Sequence, residues 1–236
     1  MSAVVSTVKL HLNNRTSTFL IPLNIAGLVA VISVLLSLVY WRSGSQPGTA
    51  DWIEGSQSNP GMAYSFAGFL VYLGVASVAL TFPFALTLGA TRRAFVVGTL
   101  LWDVITATYI AVIFAALSML ETATDHWFVG FYIFDINILG AGNIGLLLTI
   151  VFLGVLTALT AGGLFAAAWV RHGALGPQLV AGVVVVVLAV AAIIVVPEAA
   201  TIMTSFRSWW LAVAAGVAIG ISSVGTWLLL RPATVR

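Results

Sequence analysis

Chemistry in this chain has to come from very few side chains: seven Asp/Glu, nine Lys/Arg, three His and no Cys among 236 residues. Without cysteine there is no disulfide, no zinc thiolate site and no thiol nucleophile. His11, His126 and His172 are scattered along the chain, too far apart in the topology read below to converge on one metal or one triad. Neither a GxSxG elbow nor a paired His/Glu motif accompanies them. GAGNIG, Gly140 to Gly145, spells GxGxxG, but that fingerprint needs a preceding strand in a soluble βαβ unit, so the match is chance. No GxxxxGK[ST] occurs, so the chain does not itself hydrolyse ATP by that mechanism. What remains is Asp103, the one carboxylate inside an apolar run. An unpaired carboxylate there costs several kcal/mol unless it is neutralised or paired. If its helix starts near Arg93, Asp103 lies about 15 Å along it, mid-membrane; if the helix starts near Gly98, only about 8 Å. The shallow placement pairs it structurally with Arg92, Arg93, Thr99 or Thr106. The deep one makes it an intramembrane charge site for proton coupling or cation binding.

The elements that must hold Asp103 are membrane helices. With 61% hydrophobic and 7% charged residues and a mean hydropathy of +1.14, the chain has too little charge to coat a soluble globule, which carries about 25% charged residues. A soluble enzyme and a nucleic-acid binder are thereby excluded. A bilayer core needs about 20 apolar residues per crossing. Six stretches qualify, at approximately 19–40, 63–86, 96–120, 144–170, 178–197 and 208–230. The expected fold is all-α, with residues 1–236 forming a single transmembrane domain. The first stretch is too long for a signal-peptide core and reads as a retained span. With both termini in the cytoplasm, Lys9, Arg15, Arg92, Arg93, Arg171, Arg231 and Arg236 fall inside and only Arg42 and Arg207 outside, a clear positive-inside bias. The pI of about 9.3 therefore reflects topology more than partner choice. Asp51, Glu54, Glu121, Asp125, Asp135 and Glu198 all fall outside, and Trp41, Trp52, Trp127, Trp209 and Trp210 mark outer boundaries, where an indole buries its ring and keeps its N–H wet.

Two outer loops are long, 41–62 and 121–143, and the second carries Trp127, Phe128, Phe131, Tyr132 and Phe134, so it is expected to lie on or dip into the interface. Gly216 and Gly220 form a GxxxG pattern in the sixth span, read as helix packing within the subunit ahead of a dimer seam. Val183 to Val187 is a lipid-facing or packed run without chemistry. Asn14-Arg15-Thr16 is a formal glycosylation acceptor that is void on the cytoplasmic side. Between spans two and three, FPFALTLGATRRAFVVGTLL (Phe82 to Leu101) places a proline near the inner end of span two, where it interrupts the helix. Gly89 then permits a change of direction, and Thr91, Arg92, Arg93 and Phe95 make a short basic amphipathic element. That element reads either as an ordinary positive-inside loop or as a docking element for a cytoplasmic partner.

Together with LHLNNR and the following Pro22, SMLE at Ser118 to Glu121, WVRHGALGPQ at Trp169 to Gln178 and TWLLLRPA at Thr226 to Ala233, this segment resembles the membrane permease subunits of bacterial ABC exporters of the type-2 class. The resemblance spans nearly the whole chain and is strongest around Gly89 to Phe95. It implies a coupling helix at Gly89, Thr91, Arg92, Arg93 and Phe95 that rests on a separate cytoplasmic ATP-binding subunit, and an N-terminal elbow helix over Val8 to Thr18. It also implies no cofactor on this chain, ATP and Mg on the partner subunit, a second permease copy or a related permease, and a place in the bacterial plasma membrane. The cargo it implies is a drug, an antimicrobial peptide or another amphipathic molecule. Two rival readings stand beside it: a proton-coupled secondary transporter using Asp103, and a non-transporting sensor or scaffold presenting the 121–143 loop.

Overall fold

The computed structural model describes residues 3–198, 204 and 207–233; Arg236, counted above among the inner basic residues, lies outside them. Among the described residues the chain is helical without strands. Its α-helices are α1 (Ala3–Asn13), α2 (Ile21–Arg42), α3 (Ala50–Gln57), α4 (Gly61–Ala79), α5 (Thr81–Thr87), α6 (Arg92–Ala123), α7 (Ile144–His172), α8 (Leu175–Val195) and α9 (Trp209–Leu230). Six helical segments are long and apolar enough to cross a membrane: Thr16–Arg42, Ala50–Thr87, Arg92–Ala123, Ile144–His172, Leu175–Glu198 and Trp209–Leu230. The protein is a multi-pass α-helical membrane protein.

Local chemistry sets the helix ends. Thr49, Thr91 and Asn143 cap α3, α6 and α7, each side-chain oxygen accepting the amide N–H three residues on, at 3.4, 3.2 and 3.0 Å, which satisfies donors that the first turn leaves orphaned. Gly173, at φ +64°, ends α7. Within the second span the chain breaks at Leu80, between α4 and α5, three residues before Pro83. The proline ring crowds the carbonyl four residues back and supplies no N–H.

The bundle is organised around α7, which packs against α4, α6, α8 and α9. Its contact with α4 is backbone on backbone: a Cβ at Gly162 would lie 2.3 Å from the Val71 carbonyl oxygen, and one at Gly74 2.2 Å from that of Leu159. Lipid is as apolar as leucine, so close approach of small residues replaces the hydrophobic effect as the force between such helices. Gly216 and Gly220 do not serve here, since a Cβ at either meets nothing within 4 Å. The intrachain packing expected of them is made instead by Gly74 and Gly162.

Burial in α2 runs opposite to that of a soluble helix. Ser33 and Ser37 are buried while Leu28, Val31 and Leu35 are exposed, the arrangement a hydrocarbon solvent demands. α8 buries only Gly176, so the Val183–Val187 run faces outward throughout. Two apolar cores result, one around Phe66, Leu70, Phe114, Phe134 and Leu159, the other around Val78, Phe82, Phe95 and Leu230. The first lies toward the 124–143 connection, which we term the loop face. The second lies toward α1 and residues 231–233, the terminal face.

Candidate functional site

At the terminal face the chain turns from α5 to α6 through Leu88–Thr91, with Gly89 at φ +84°, a conformation that suits glycine. No separate helix spans 89–95. Thr91 caps α6, and Arg92, Arg93 and Phe95 already belong to its first turns. The five residues expected to form one coupling element therefore divide. Gly89, Thr91 and Arg93 are exposed, whereas Phe95 is fully buried and meets Phe82 edge-on at 5.1 Å. The Arg92 guanidinium donates to the carbonyls of Arg231 and Ala233 at 2.5 and 2.7 Å, stapling the end of α9 to the start of α6.

The N-terminal helix occupies Ala3–Asn13, with a single π turn over Thr16–Leu20 leading into α2, where an elbow over Val8 to Thr18 was expected. It packs on α6: a Cβ at Gly98 would meet the Thr7 side chain at 2.6 Å. His11 is buried, its Nε2 is 3.0 Å from Thr99 Oγ1, and its ring stacks on Trp102 at 5.0 Å. Burial pushes its pKa down to about 4. Because His11 is held neutral when folded, its contribution is complete above pH 6.5, the ordinary value, and is lost as pH falls toward 4. Stability is expected to fall across that window with one proton's slope, about 1.4 kcal/mol per pH unit. Unfolding titrations of wild type and His11→Gln check this; equal slopes in the two proteins would refute it.

The loop face is built on a residue whose role the sequence did not reveal. Glu121, read as an outer carboxylate, is fully buried at the end of α6. Its Oε1 accepts the amide N–H groups of Ile133 and Asp135 at 3.0 and 3.2 Å, and its Oε2 that of Phe134 at 2.8 Å. Carboxylates hold such bonds at roughly twice the strength of neutral acceptors. The 121–143 loop is thus folded back as a lid whose Ile133, Phe134, Ile136 and Leu139 enter the core.

Between Glu121 and that lid, Asp125, His126, Trp127 and Phe128 all adopt positive φ, from 49 to 64°. This is one left-handed turn of non-glycine residues, each costing about 1–2 kcal/mol. Side chains hold it in place. His126 Nε2 lies 3.1 Å from Asp135 Oδ2, and the Tyr132 ring lies 4.0 Å from that of His126. Burial, then the neighbouring carboxylates Asp135, Asp125 and Glu121, push the Tyr132 hydroxyl up from its usual value. Trp52 of α3 donates its indole N–H to the Gly130 carbonyl at 2.6 Å. Read as a wet boundary marker, Trp52 is instead fully buried, while Trp41 and Trp209 are exposed. Among the described residues no three His, Asp or Glu are placed to hold a metal ion, and the three histidines do not converge.

Asp103 lies between the two faces. α6 starts at Arg92, which puts Asp103 about 16 Å along the helix, the deep placement. It is 2% exposed, and its Oδ1 has no hydrogen-bond partner among the described residues. Pairing with Arg92 is contradicted, because that side chain reaches Arg231 and Ala233 instead. Arg93 forms no ion pair with Asp103 either. Of the two threonines expected beside it, Thr99 meets His11 and Thr106 Oγ1 is also unpartnered. Asp103 lines a cavity of about 10 Å³ with Thr99, Thr160, Ser223 and Thr226, from α6, α7 and α9.

Two apolar grooves open on the flanks of the bundle. One, of about 440 Å³, runs between α2 and the lid past Ala30, Leu117, Trp127 and Phe134. The other, of about 300 Å³, lies among α4, α6 and α7 at Phe66, Phe114, Leu139 and Val155. Comparison of the chain with protein-family models, with curated proteins and with solved structures finds no match.

Proposed function

We propose that this chain is the permease subunit of an ATP-driven exporter of the type-2 class, working with a separate cytoplasmic ATP-binding subunit and a second permease. The observation that carries the reading is the exposed Leu88–Thr91 turn, with Arg93 beside it, leading directly into α6 on the face where α1 also packs. A partner pressing on this turn moves α6 as a rigid rod, and with it Phe95, Asp103 and, at the far end, Glu121. Packed helices respond to such a push by switching between discrete arrangements. ATP and Mg act on the partner. The apolar grooves suit an amphipathic cargo such as a drug or an antimicrobial peptide, and with the basic turn in the cytoplasm both termini are cytoplasmic.

Affinity purification of the tagged protein from its native membrane in mild detergent is expected to bring down a stoichiometric ATP-binding subunit. Its absence in several detergents, with the permease still folded, overturns the reading. Within the assembly, Arg93→Glu is expected to abolish cargo-stimulated ATP hydrolysis and leave the fold intact, because Arg93 is exposed. Normal stimulated turnover sinks the assignment of the turn. The unpartnered Asp103 favours the rival, a proton-driven secondary transporter. Transport blocked by vanadate supports the exporter; transport blocked only by a protonophore supports the rival.

A further inference from the structure

We propose that Asp103 and the hydroxyl groups around it form a binding site for one sodium ion, set within the bundle between α6, α7 and α9. This goes beyond the permease reading and does not depend on it.

The starting observation is a buried acidic side chain without a partner. A carboxylate 2% exposed, some 16 Å along a membrane helix, has a buried oxygen with no donor. No basic side chain lines its cavity among the described residues; of the two arginines nearest in sequence, Arg93 is exposed and Arg92 is committed to backbone carbonyls at the terminal face. Buried ions are retained where they are paired or coordinate a cation.

The neighbours argue for a cation over a hydrogen-bond donor. The Thr160 hydroxyl donates to the Leu156 carbonyl at 2.8 Å, so toward the cavity it can offer only lone pairs. An oxygen lone pair facing an ionised carboxylate is repulsive, and a positive ion between them turns both into ligands. Ser223 and Thr226 of α9 and Thr99 of α6, whose hydroxyl also meets His11, line the same cavity. The donor set is all oxygen, which selects a hard cation and disfavours transition metals.

Size and charge narrow the choice. About 10 Å³ is room for a single water-sized particle. One carboxylate balances one positive charge, whereas calcium takes six to eight oxygens, usually with several carboxylates among them. Contributions from three helices mean that filling the site cross-links α6 to α7 and α9. Its occupancy should therefore register as stability of the bundle.

The test uses the purified chain in lipid nanodiscs at constant ionic strength, with sodium, potassium or N-methylglucamine chloride. Saturable binding of radioactive sodium, one ion per chain, is expected, with a melting temperature that rises with sodium concentration. Asp103→Asn is expected to abolish both effects. Thr226→Val, which keeps the carboxylate and removes one oxygen, is expected to weaken binding by roughly tenfold, so the proposal stays decidable if Asp103→Asn does not fold. Equal stability in all three salts overturns the site, as does sodium binding that survives both substitutions. A sodium-insensitive carboxylic-acid carbonyl band in the infrared spectrum, lost in Asp103→Asn, overturns it in favour of a protonated side chain. The exporter reading stands or falls separately, on the co-purifying subunit.

Discussion

Glu121→Ala is expected to destabilise the protein by about 3 kcal/mol or more and to free the segment between α6 and α7. The substitution removes the acceptor of three amide N–H groups, those of Ile133, Phe134 and Asp135, and each donor left buried without a partner costs about 1–3 kcal/mol. The same anchor opposes the left-handed turn at Asp125–Phe128, whose four residues sit where side chains cost about 1–2 kcal/mol each. With the carboxylate gone, the His126–Asp135 pair and the Trp52–Gly130 bond are left to hold that strain, and the lid should open. Glu121→Gln keeps the shape and one carbonyl oxygen but turns an amide NH₂ toward a backbone donor, so a smaller loss of about 1–2 kcal/mol is expected. Unfolding in mixed micelles measures the stabilities, and limited proteolysis around Phe128, which is 84% exposed, reports the opening. A Glu121→Ala protein as stable and as protease-resistant as wild type would mean that the carboxylate is not the anchor.

What was legible in the sequence is what depends on composition and local chain chemistry. The six spans come from runs of apolar residues that no other environment tolerates, and the observed segments match them to within a few residues at most ends. The largest departure is the N-terminal end of span two, where the α3 helix at Ala50–Gln57 was not foreseen. The break before Pro83 and the turn at Gly89 were visible because each is dictated by one residue's backbone. Contacts between distant residues were not. Glu121 looks like any loop carboxylate until the chain returns a dozen positions later with three amides in a row. Trp52 looks like an interface tryptophan until Gly130 is brought to it. The coupling helix expected over 89–95 dissolved for a local reason that was legible: Thr91 is a good N-cap, so α6 starts at Arg92 and runs on without interruption. Arg92 and Arg93 are adjacent in sequence, yet only Arg92 reaches the far end of the chain.

The glycines show the same divide and give the second large effect. GxxxG at Gly216 and Gly220 is the conspicuous pattern, while Gly74 and Gly162 belong to no GxxxG. Gly162→Ala is nevertheless expected to cost about 3 kcal/mol, the upper end for overpacking. Its new Cβ would lie 2.3 Å from the Val71 carbonyl oxygen and 2.9 Å from the Val75 nitrogen, backbone atoms that cannot rotate away, so α4 and α7 must separate along their seam. Gly162→Leu is expected to prevent folding altogether. Gly216→Ala meets nothing within 4 Å and gains helix propensity worth up to about 1 kcal/mol, so the two substitutions should differ in sign. Paired unfolding measurements in the same detergent decide the matter: a Gly162→Ala protein no less stable than Gly216→Ala would mean that α4 and α7 are not in backbone contact. The comparison also isolates any role for the GxxxG face between chains. Because that face is open within the chain, a Gly216→Leu variant that folds normally but no longer cross-links to a second copy would place a seam between copies on α9.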